Sequence, residues 1–235
     1  GDGFMDIVVG NSGENQVLFG SAGGRTFSEV ALTGGSRETL STSVADVDGD
    51  GFMDIVVGNS GENQVLFGSA GGRTFSEATL PGGSRNTRST SVADVDGDGF
   101  MDIVFGNDYV KYNVAQENQV LFGSAGGTTF SEVTLPGGRK YTRSTSVADV
   151  DGDGFVDIVL GNHNGVNQIL FGSADGRTFS VAALPGGSRN TQSTSVADVN
   201  GDGFMDIVVG NRNVENQILF GSADGRTFSE VALPG

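Results

Sequence analysis

Four aspartates fall within the nine residues DVDGDGFMD: Asp46, Asp48, Asp50 and Asp54. Unpaired, so much negative charge in one turn would repel itself, and a bound cation would neutralise it. The four carboxylates and the Phe52 carbonyl occupy positions 1, 3, 5, 7 and 9 of a calcium loop, and Gly51 at position 6 permits the sharp turn. Hard oxygen ligands in this number favour Ca²⁺ over zinc, because the chain has no cysteine and a single histidine.

The same loop pattern recurs three more times along the chain. Positions 1, 3, 5, 7 and 9 are Asp94, Asp96, Asp98, Phe100 and Asp102; Asp149, Asp151, Asp153, Phe155 and Asp157; and Asp198, Asn200, Asp202, Phe204 and Asp206. The neutral amide of Asn200 should weaken binding in the last copy. Position 12 of the first loop is Val57 instead of Glu and the flanking runs are β-rich, so these loops are not EF-hands. Asp/Gly turns that need no metal are the alternative, and four copies of the pattern argue against it.

The loops belong to a longer internal repeat, which decides the architecture. GDGFMDIV or a near-copy of it begins at five places: Gly1, Gly49, Gly97, Gly152 and Gly201. A period near 50 residues is typical of propellers, solenoids and repeat arrays. We expect a single domain over residues 1–235, built from repeats at about 1–40, 41–88, 89–143, 144–192 and 193–235.

Each repeat contains four short β-rich runs separated by Gly, Asp, Asn and Ser. In residues 41–82 these runs are STSVADV, FMDIVVGN, NQVLFG and RTFSEATL. DIVV and QVLF are nearly continuous apolar runs, which suits strands covered on both faces by neighbouring sheets. The phenylalanines of DGF, LFG and RTF are expected in the core. The pattern predicts an all-β, five-bladed β-propeller with four antiparallel strands per blade, and a β-solenoid is the alternative.

The first repeat is incomplete, because STSVADV occurs only four times. The N-terminal blade should therefore lack its innermost strand, and its calcium loop keeps only Asp2 and Asp6. We expect a ring with one three-stranded blade and a defective or empty first calcium site. Residues beyond the sequence could instead complete the blade, or a second chain could lend a strand and form a homo-oligomer, since an unpaired inner edge is costly.

Composition argues against some classes of partner. The net charge is −16, which disfavours nucleic acid and anionic membranes. No stretch approaches the ~20 apolar residues of a membrane span. Forty glycines in 235 residues are about twice the usual share, but they recur at fixed turn positions, which indicates ordered turns and not a flexible linker.

The motif D-x-D-x-D-G-x-x-D, followed by DIVVGN and NQVLFG, resembles the FG-GAP/VCBS repeats of integrin-alpha-type propellers. It is also similar to the repeats of calcium-containing propeller lectins of the Psathyrella velutina lectin type. The resemblance covers essentially the whole chain. It implies a Ca²⁺ site between the first and second strands of each blade and a secreted, extracellular, non-catalytic recognition role. Those relatives usually have seven blades, whereas this chain supplies five.

The up-and-down topology of a blade sorts the loops onto two faces. The aspartate loops and the AGGR or ADGR turns should share one rather uniform face. The segments after each GN and the connections between blades should share the other, where sequence varies and basic residues concentrate. Scaffolds place binding on such variable loops. The candidate ligand-binding residues are Arg85, Tyr109, Lys111, Tyr112, His163 and Arg212.

Two classes of function fit these features. A binding module is favoured, and multivalent carbohydrate binding is its most concrete form, because near-identical blades would create near-identical grooves. A protein-binding or structural propeller within a larger secreted protein fits the same facts, with an extracellular protein as the ligand instead of a glycan. A polysaccharide-processing enzyme is disfavoured, because repetition places the same groups everywhere and His163 is the only histidine.

Overall fold

The computed structural model describes residues 3–110 and 114–234, and all regular structure in them is β-strand. The strands are β1 (Ile7–Val9), β2 (Gln16–Gly20), β3 (Phe27–Ala31), β4 (Thr39–Ala45), β5 (Asp54–Gly61), β6 (Gln64–Gly68), β7 (Phe75–Thr79), β8 (Arg85–Ala93), β9 (Asp102–Asn107), β10 (Tyr109–Val110), β11 (Val114–Ala115), β12 (Gln119–Phe122), β13 (Ser131–Thr134), β14 (Thr142–Ala148), β15 (Asp157–Phe171), β16 (Ser180–Ala197), β17 (Asp206–Asn211), β18 (Gln217–Phe220) and β19 (Ser229–Ala232). No helix that is long and apolar enough to cross a membrane occurs in this part of the chain.

Successive antiparallel groups of strands follow the sequence repeats. Unit 1 is β1-β2-β3, unit 2 is β4-β5-β6-β7, and unit 3 is β8-β9-β12-β13. Unit 4 comprises β14, β15 and the first part of β16, and unit 5 comprises the rest of β16 with β17, β18 and β19. β15 serves two strand positions, because residues 157–162 pair with β14 and residues 168–171 pair with β16. The prediction of all-β, propeller-like antiparallel sheets is confirmed.

Neighbouring units pack face to face through four hydrophobic clusters. Between units 2 and 3, Val47 and Phe67 pack with Ile103 and Phe105. Ile103, Val104 and Phe105 are successive residues of β9, and each is 0% exposed. Both faces of the strand are therefore covered, which explains the continuous apolar runs of the sequence.

In the described part of the chain, units 1 and 5 each pack against one neighbouring unit only. Among residues 3–110 and 114–234, the hydrophobic clusters join units 1 to 5 in succession, and none joins unit 5 to unit 1. Val199 of unit 5 is 51% exposed, whereas its counterparts Val47, Val95 and Val150 are 2% or 3% exposed. Closure of five blades into a ring stays a prediction.

The phenylalanines of the three motifs differ in exposure. Those of LFG are core residues, as expected: Phe19, Phe67, Phe122 and Phe171 are buried, and Phe220 is half-buried. Those at the RTF position are half-buried against the core in units 2 to 5, whereas Phe27 of unit 1 is 46% exposed. Those of DGF are not core residues, because Phe52 is only half-buried and Phe4, Phe100, Phe155 and Phe204 are 36% to 42% exposed. The expectation of a core position for the DGF phenylalanines was wrong. They occupy position 7 of the aspartate loops, at the solvent-facing end of the sheets, where only the residue's carbonyl is part of the metal pattern.

The turn between the third and fourth strands of a unit rests on the aspartate loop of the preceding unit. Gly127, Gly176 and Gly225 have φ of +60°, +64° and +63°. A Cβ atom on each would lie 1.9, 2.2 and 2.3 Å from the Cα atoms of Asp48, Asp96 and Asp151, respectively. Only glycine allows this approach. Gly72 of unit 2 has the same conformation, φ +66°, but nothing lies within 4 Å of a Cβ there.

Gly176→Ala is expected to destabilise the chain by about 2–4 kcal/mol, because overpacking against backbone adds to the cost of a left-handed alanine. Gly72→Ala is the matched control, since it carries the same backbone strain without the clash, and it should cost only about 1 kcal/mol. Chemical denaturation of both variants measures the difference. An equal loss of unfolding free energy in the two variants would show that the glycine turns are not in close contact with the aspartate loops.

Candidate functional site

The aspartate loops bring their carboxylates together. Three described clusters each place three ligand atoms within 4.8 Å of one another. The clusters are Asp46, Asp48 and Asp50; Asp94, Asp96 and Asp102; and Asp149, Asp151 and Asp157. Each cluster lies between the first and second strands of units 2, 3 and 4, where the sequence places a metal loop.

The aspartate at position 9 holds the two ends of the loop together. In unit 3, the Asp102 carboxylate is fully buried and accepts hydrogen bonds from backbone amides on both of its oxygens. Gly123 N donates to Oδ1 at 2.8 Å, and Val95 N and Asp96 N donate to Oδ2 at 2.7 and 3.3 Å. Asp54 and Asp157 accept the same set of bonds in units 2 and 4.

Burial raises the pKa of Asp102 and of Asp157 from 3.8 to about 6, against the opposing effect of these amide hydrogen bonds. A carboxyl group that is hard to ionise in the folded chain gains most from a neighbouring cation.

In metal-free buffer, lowering the pH from about 7 to about 5 is therefore expected to increase the free energy of unfolding by at least about 1 kcal/mol. The folded pKa lies above the unfolded one, so the folded chain binds protons more tightly. The cost of ionising the buried groups is fully present above about pH 6 and is relieved as the pH falls toward about 4. Urea denaturation over this range measures it, and a steady fall in stability would contradict the buried-carboxylate assignment.

Among the described residues, two loop oxygens, Asp46 Oδ1 and Asp94 Oδ1, are buried with neither a hydrogen-bond partner nor an ion-pair partner. An orphaned buried carboxylate oxygen is costly unless a cation meets it. Both belong to position 1 of their loops, beside two further carboxylates. The donor set is all oxygen, which suits Ca²⁺, so the residues present fit the metal that the sequence pattern predicts.

Arginines from the following unit reach two of the loops, which the sequence analysis missed. Arg177 Nη2 lies 2.7 Å from Asp96 Oδ2, and Arg226 Nη2 lies 2.7 Å from Asp151 Oδ2. Each guanidinium also stacks on an LFG phenylalanine, Arg177 at 4.5 Å from the ring centroid of Phe122. The sequence feature that indicates these ion pairs is the Arg that recurs in the DGR and GGR turns. In unit 3, whose turn lies against the aspartate loop of unit 2, Thr128 occupies this position.

The aspartate loops of units 5 and 1 are poorer candidate metal sites than those of units 2, 3 and 4. Asn200 Nδ2 donates to Asp202 Oδ2 at 2.8 Å, so the amide is hydrogen-bonded to a carboxylate that a metal would need. Within the described residues, unit 5 contains no cluster of three acidic groups that could hold a metal. In unit 1, Asp6 is exposed and accepts a hydrogen bond from Gly20 N at 2.9 Å, and Asp2 lies outside the described residues.

Arg85 and Tyr109 line one cleft between units 2 and 3. The cleft has a volume of about 510 Å³, and its other lining residues are Glu38, Ser60, Gly61, Ser84, Asn86 and Arg88. It lies among the segments that follow GN and the connections between units, on the opposite end of the sheets from the aspartate loops. Asn86 Nδ2 donates to the Tyr109 carbonyl at 2.6 Å, which fixes both residues, and the Tyr109 ring meets Tyr141 edge-on with centroids 6.4 Å apart.

His163 and Arg212 lie at the junction of units 4 and 5, away from that cleft. His163 belongs to β15 and is half-buried, with its Nδ1 hydrogen-bonded to Asn190 Oδ1. Arg212 is exposed, and its backbone N donates to the Asn190 carbonyl at 2.9 Å. Of the described candidate ligand residues, Arg85 and Tyr109 therefore lie at one junction, and His163 and Arg212 lie at another. Lys111 and Tyr112 lie outside the described residues.

The junctions share a scaffold but differ in lining. In units 2 to 5, the residue after GN donates its backbone N–H to the connection of its own unit. The donor and acceptor residues are Ser60 and Glu38; Asp108 and Asn86; His163 and Tyr141; and Arg212 and Asn190. The expectation of near-identical grooves was wrong, because the chemically variable positions converge on these junctions while the loop face repeats.

Solved structures share this fold. A lectin of Agrocybe aegerita, solved to show recognition of non-reducing terminal N-acetylglucosamine, matches with a TM-score of 0.59 and 21% identity, covering 97% of this chain and 62% of the lectin. An exo-β-1,3-galactanase of Phanerochaete chrysosporium, solved with β-1,3-galactotriose, matches with a TM-score of 0.57 and 12% identity, covering 97% and 54%. The chain thus spans less than two thirds of either protein. No curated protein sequence matches it.

The repeats themselves match a known family. The FG-GAP-like repeat family covers residues 1–57, 46–105 and 149–209, which together make up more than half of the chain. The matched segments contain the aspartate loops of units 2, 3, 4 and 5, so the loops and the sheets that follow them carry the match. This chain belongs to the FG-GAP-like repeat family.

Proposed function

We propose that this chain is a calcium-stabilised, non-enzymatic recognition module that acts outside the cell and binds carbohydrate. Each unit is one blade of a five-bladed propeller whose first blade lacks its innermost strand. The complete calcium loops begin at Asp46, Asp94 and Asp149, and the ligand binds at the opposite end of the sheets. The observation that carries the proposal is the cleft between units 2 and 3.

The cleft offers the groups that bind a sugar. Asn86 Oδ1 is buried without a hydrogen-bond partner among the described residues, and the Arg88 guanidinium, whose Nε lies 3.5 Å from Asp108 Oδ2, lines the same cleft. A rotation of the Asn86 side chain would let its oxygen accept a hydrogen bond from a sugar hydroxyl, and the Arg88 guanidinium can donate to a second hydroxyl. Tyr109 adds an aromatic ring of the kind that covers the apolar face of a sugar while its hydroxyl stays wet. Small-molecule sites combine these features.

The charged groups around the cleft favour a polar, uncharged ligand such as a neutral sugar. Arg85 lines the cleft, with its Nη2 3.8 Å from Glu132 Oε1. Arg88 and Arg143 flank the buried Asp108, whose Oδ2 lies 3.5 and 3.2 Å from their Nε atoms. Glu38 also lines the cleft, so these three arginines and the carboxylates of Glu38, Asp108 and Glu132 balance in charge, in a chain whose net charge is −16.

Calcium would act at a distance from the ligand, by fixing the loops against the next unit. When bound, it neutralises the carboxylates of positions 1, 3, 5 and 9. The affinity expected for extracellular modules, roughly 10⁻⁴–10⁻³ M, suits a protein exposed to extracellular calcium. The fold shared with a lectin supports the recognition role.

An enzyme is the second candidate, because the fold is also shared with a galactanase. Glycoside hydrolysis generally uses two carboxyl groups about 5–10 Å apart across the bond. Among the described residues that line the cleft, Glu38 is the one carboxylate. A glycan array run beside a polysaccharide hydrolysis assay separates the two functions. Glycan binding without hydrolysis supports recognition, hydrolysis would overturn it, and neither activity would favour a protein-binding or structural role.

Variants of the cleft locate the binding. Tyr109→Ala and Arg85→Ala are each expected to weaken binding of an array hit about tenfold, a typical cost for an anchoring side chain. Arg25→Ala is the matched control, because Arg25 is an exposed arginine in the turn between β2 and β3, outside the cleft lining. Isothermal titration in calcium buffer measures all three. Unchanged affinity in both cleft variants would contradict the location.

A further inference from the structure

The three complete aspartate loops face different side chains of the following unit. One glycine of each turn lies against the loop in the same way at all three junctions: Gly127, Gly176 and Gly225. The residue after this glycine is the neutral Thr128 opposite unit 2, but it is Arg177 opposite unit 3 and Arg226 opposite unit 4. The loops therefore carry the same carboxylates in different electrostatic surroundings.

Arg177 is bonded to an oxygen that a metal in the loop of unit 3 would need. Its Nη2 and Nε lie 2.7 and 2.9 Å from Asp96 Oδ2. Asp96 is one of the three clustered carboxylates of this loop, and its side chain is 4% exposed. The other oxygen, Asp96 Oδ1, accepts a hydrogen bond from Asp98 N at 3.2 Å. A metal that binds Asp96 therefore competes with a charge-assisted hydrogen bond from an arginine.

Arg226 contacts two carboxylates of the loop in unit 4. Its Nη2 lies 2.7 Å from Asp151 Oδ2 and 3.8 Å from Asp153 Oδ2, at positions 3 and 5 of the loop. In unit 2, Asp48 occupies position 3, and residues 3–110 and 114–234 contain no ion pair to its carboxylate. The number of loop carboxylates that an arginine contacts thus rises from none in unit 2 to one in unit 3 and two in unit 4.

Aromatic stacking holds both guanidinium groups beside the loops. The Cζ atom of Arg177 lies 4.5 Å from the ring centroid of Phe122, and that of Arg226 lies 4.6 Å from the ring centroid of Phe171. A guanidinium at ion-pair distance from the loop repels Ca²⁺, because both are positively charged. Each arginine side chain is about half exposed, so solvent reduces this repulsion without removing it.

We propose that Arg177 and Arg226 are built-in competitors of calcium, so that the three complete loops bind calcium with graded affinity. The loop of unit 2 binds most tightly, that of unit 3 less tightly and that of unit 4 least tightly. In the calcium-free chain, each arginine supplies part of the positive charge that the carboxylates need and ties its loop to the following unit. This grading rests on the calcium sites of the proposed function and adds an order of filling, from unit 2 to unit 4.

Chains that keep one complete loop each allow the three affinities to be measured separately. Two of the three exposed aspartates at position 5 are replaced in each chain, and the substitutions are Asp50→Ala, Asp98→Ala and Asp153→Ala. Isothermal titration with calcium chloride at low ionic strength measures the dissociation constants. We expect the dissociation constant to be about tenfold higher for unit 4 than for unit 2, with unit 3 between them, within the range typical of extracellular calcium sites.

Exchange of the facing side chain tests the cause of the grading. In the chain that keeps the loop of unit 2, Thr128→Arg should weaken calcium binding about three- to tenfold, because it adds the competing cation. In the chain that keeps the loop of unit 4, Arg226→Gln should tighten calcium binding about tenfold. Arg25→Gln is the matched control, because Arg25 is exposed at the same position of the unit 1 turn, whose Gly24 has nothing within 4 Å of a Cβ. It should leave every affinity unchanged.

The outcomes separate the arginines from the metal sites. Graded dissociation constants that shift with the facing side chain support the proposal. Equal affinities in the three single-loop chains would overturn it and leave calcium binding intact. Weaker binding after Arg226→Gln would also overturn it, since the arginine would then orient the carboxylates for the metal. No calcium binding by any of these chains would overturn the calcium sites of the proposed function, and the grading with them.

Discussion

Removal of calcium with excess chelator is expected to lower the melting temperature of the chain by about 10 °C or more. At about 10 mM calcium and dissociation constants near 10⁻⁴–10⁻³ M, each occupied loop stabilises the folded state by roughly 1.5–2.5 kcal/mol. The three complete loops of units 2, 3 and 4 together give about 4–8 kcal/mol, and each kcal/mol shifts the melting temperature by about 2–4 °C at this chain length. Differential scanning calorimetry with and without chelator measures the shift.

The loop of unit 5 provides an internal control for this effect. Asp202→Ala should remove little of the calcium-dependent shift, because Asn200 already donates to the Asp202 carboxylate. Asp98→Ala in unit 3 should remove about a third of it, since one of three similar sites is lost. A melting temperature that stays the same in excess chelator would contradict the metal assignment for every loop.

Replacing Asp102 with alanine is expected to destabilise the chain by about 3–5 kcal/mol even without calcium, because three backbone amides lose their buried acceptor. Those amides belong to Gly123, Val95 and Asp96. At neutral pH the folded chain is destabilised by ionisation of Asp102, because burial raises the pKa of this group. Removing the carboxyl group relieves this destabilisation and so offsets part of the loss.

Asp98→Ala separates structure from metal binding in the same loop. Asp98 is exposed and its Oδ1 accepts a hydrogen bond from Phe100 N at 2.9 Å, so its loss costs at most about 1 kcal/mol in chelator. Urea denaturation in chelator should show a much larger loss of unfolding free energy for Asp102→Ala than for Asp98→Ala. Similar small losses in both would show that Asp102 does not hold the loop ends together.

The repeat made the sheets and the loops predictable from sequence. Apolar runs such as DIVV and QVLF recur with turn residues between them, and both the strand and the loop patterns are local along the chain. The aspartates of positions 1, 3 and 9 are close in sequence, so their convergence in the clusters of units 3 and 4 follows from the turn itself.

Contacts between units were not predictable in the same way. Arg177 and Asp96 are 81 residues apart, and only the packing of one unit on the next brings them together. The exposure of Phe100 depends on where its loop lies relative to that packing. The chemical differences between the junctions were also not predicted. They arise from pairs of variable residues that separate units contribute, such as His163 and Asn190.

The central claim, that the chain binds carbohydrate on the end of the sheets opposite the aspartate loops, is tested most directly by a crystal structure. The calcium-loaded chain would be crystallised with the strongest hit of a glycan array. We expect a sugar in the cleft between units 2 and 3, with hydroxyl groups hydrogen-bonded to the Asn86 amide and the Arg88 guanidinium and a ring against Tyr109. A sugar bound only beside the AGGR or ADGR turns, next to the calcium loops, would contradict the account.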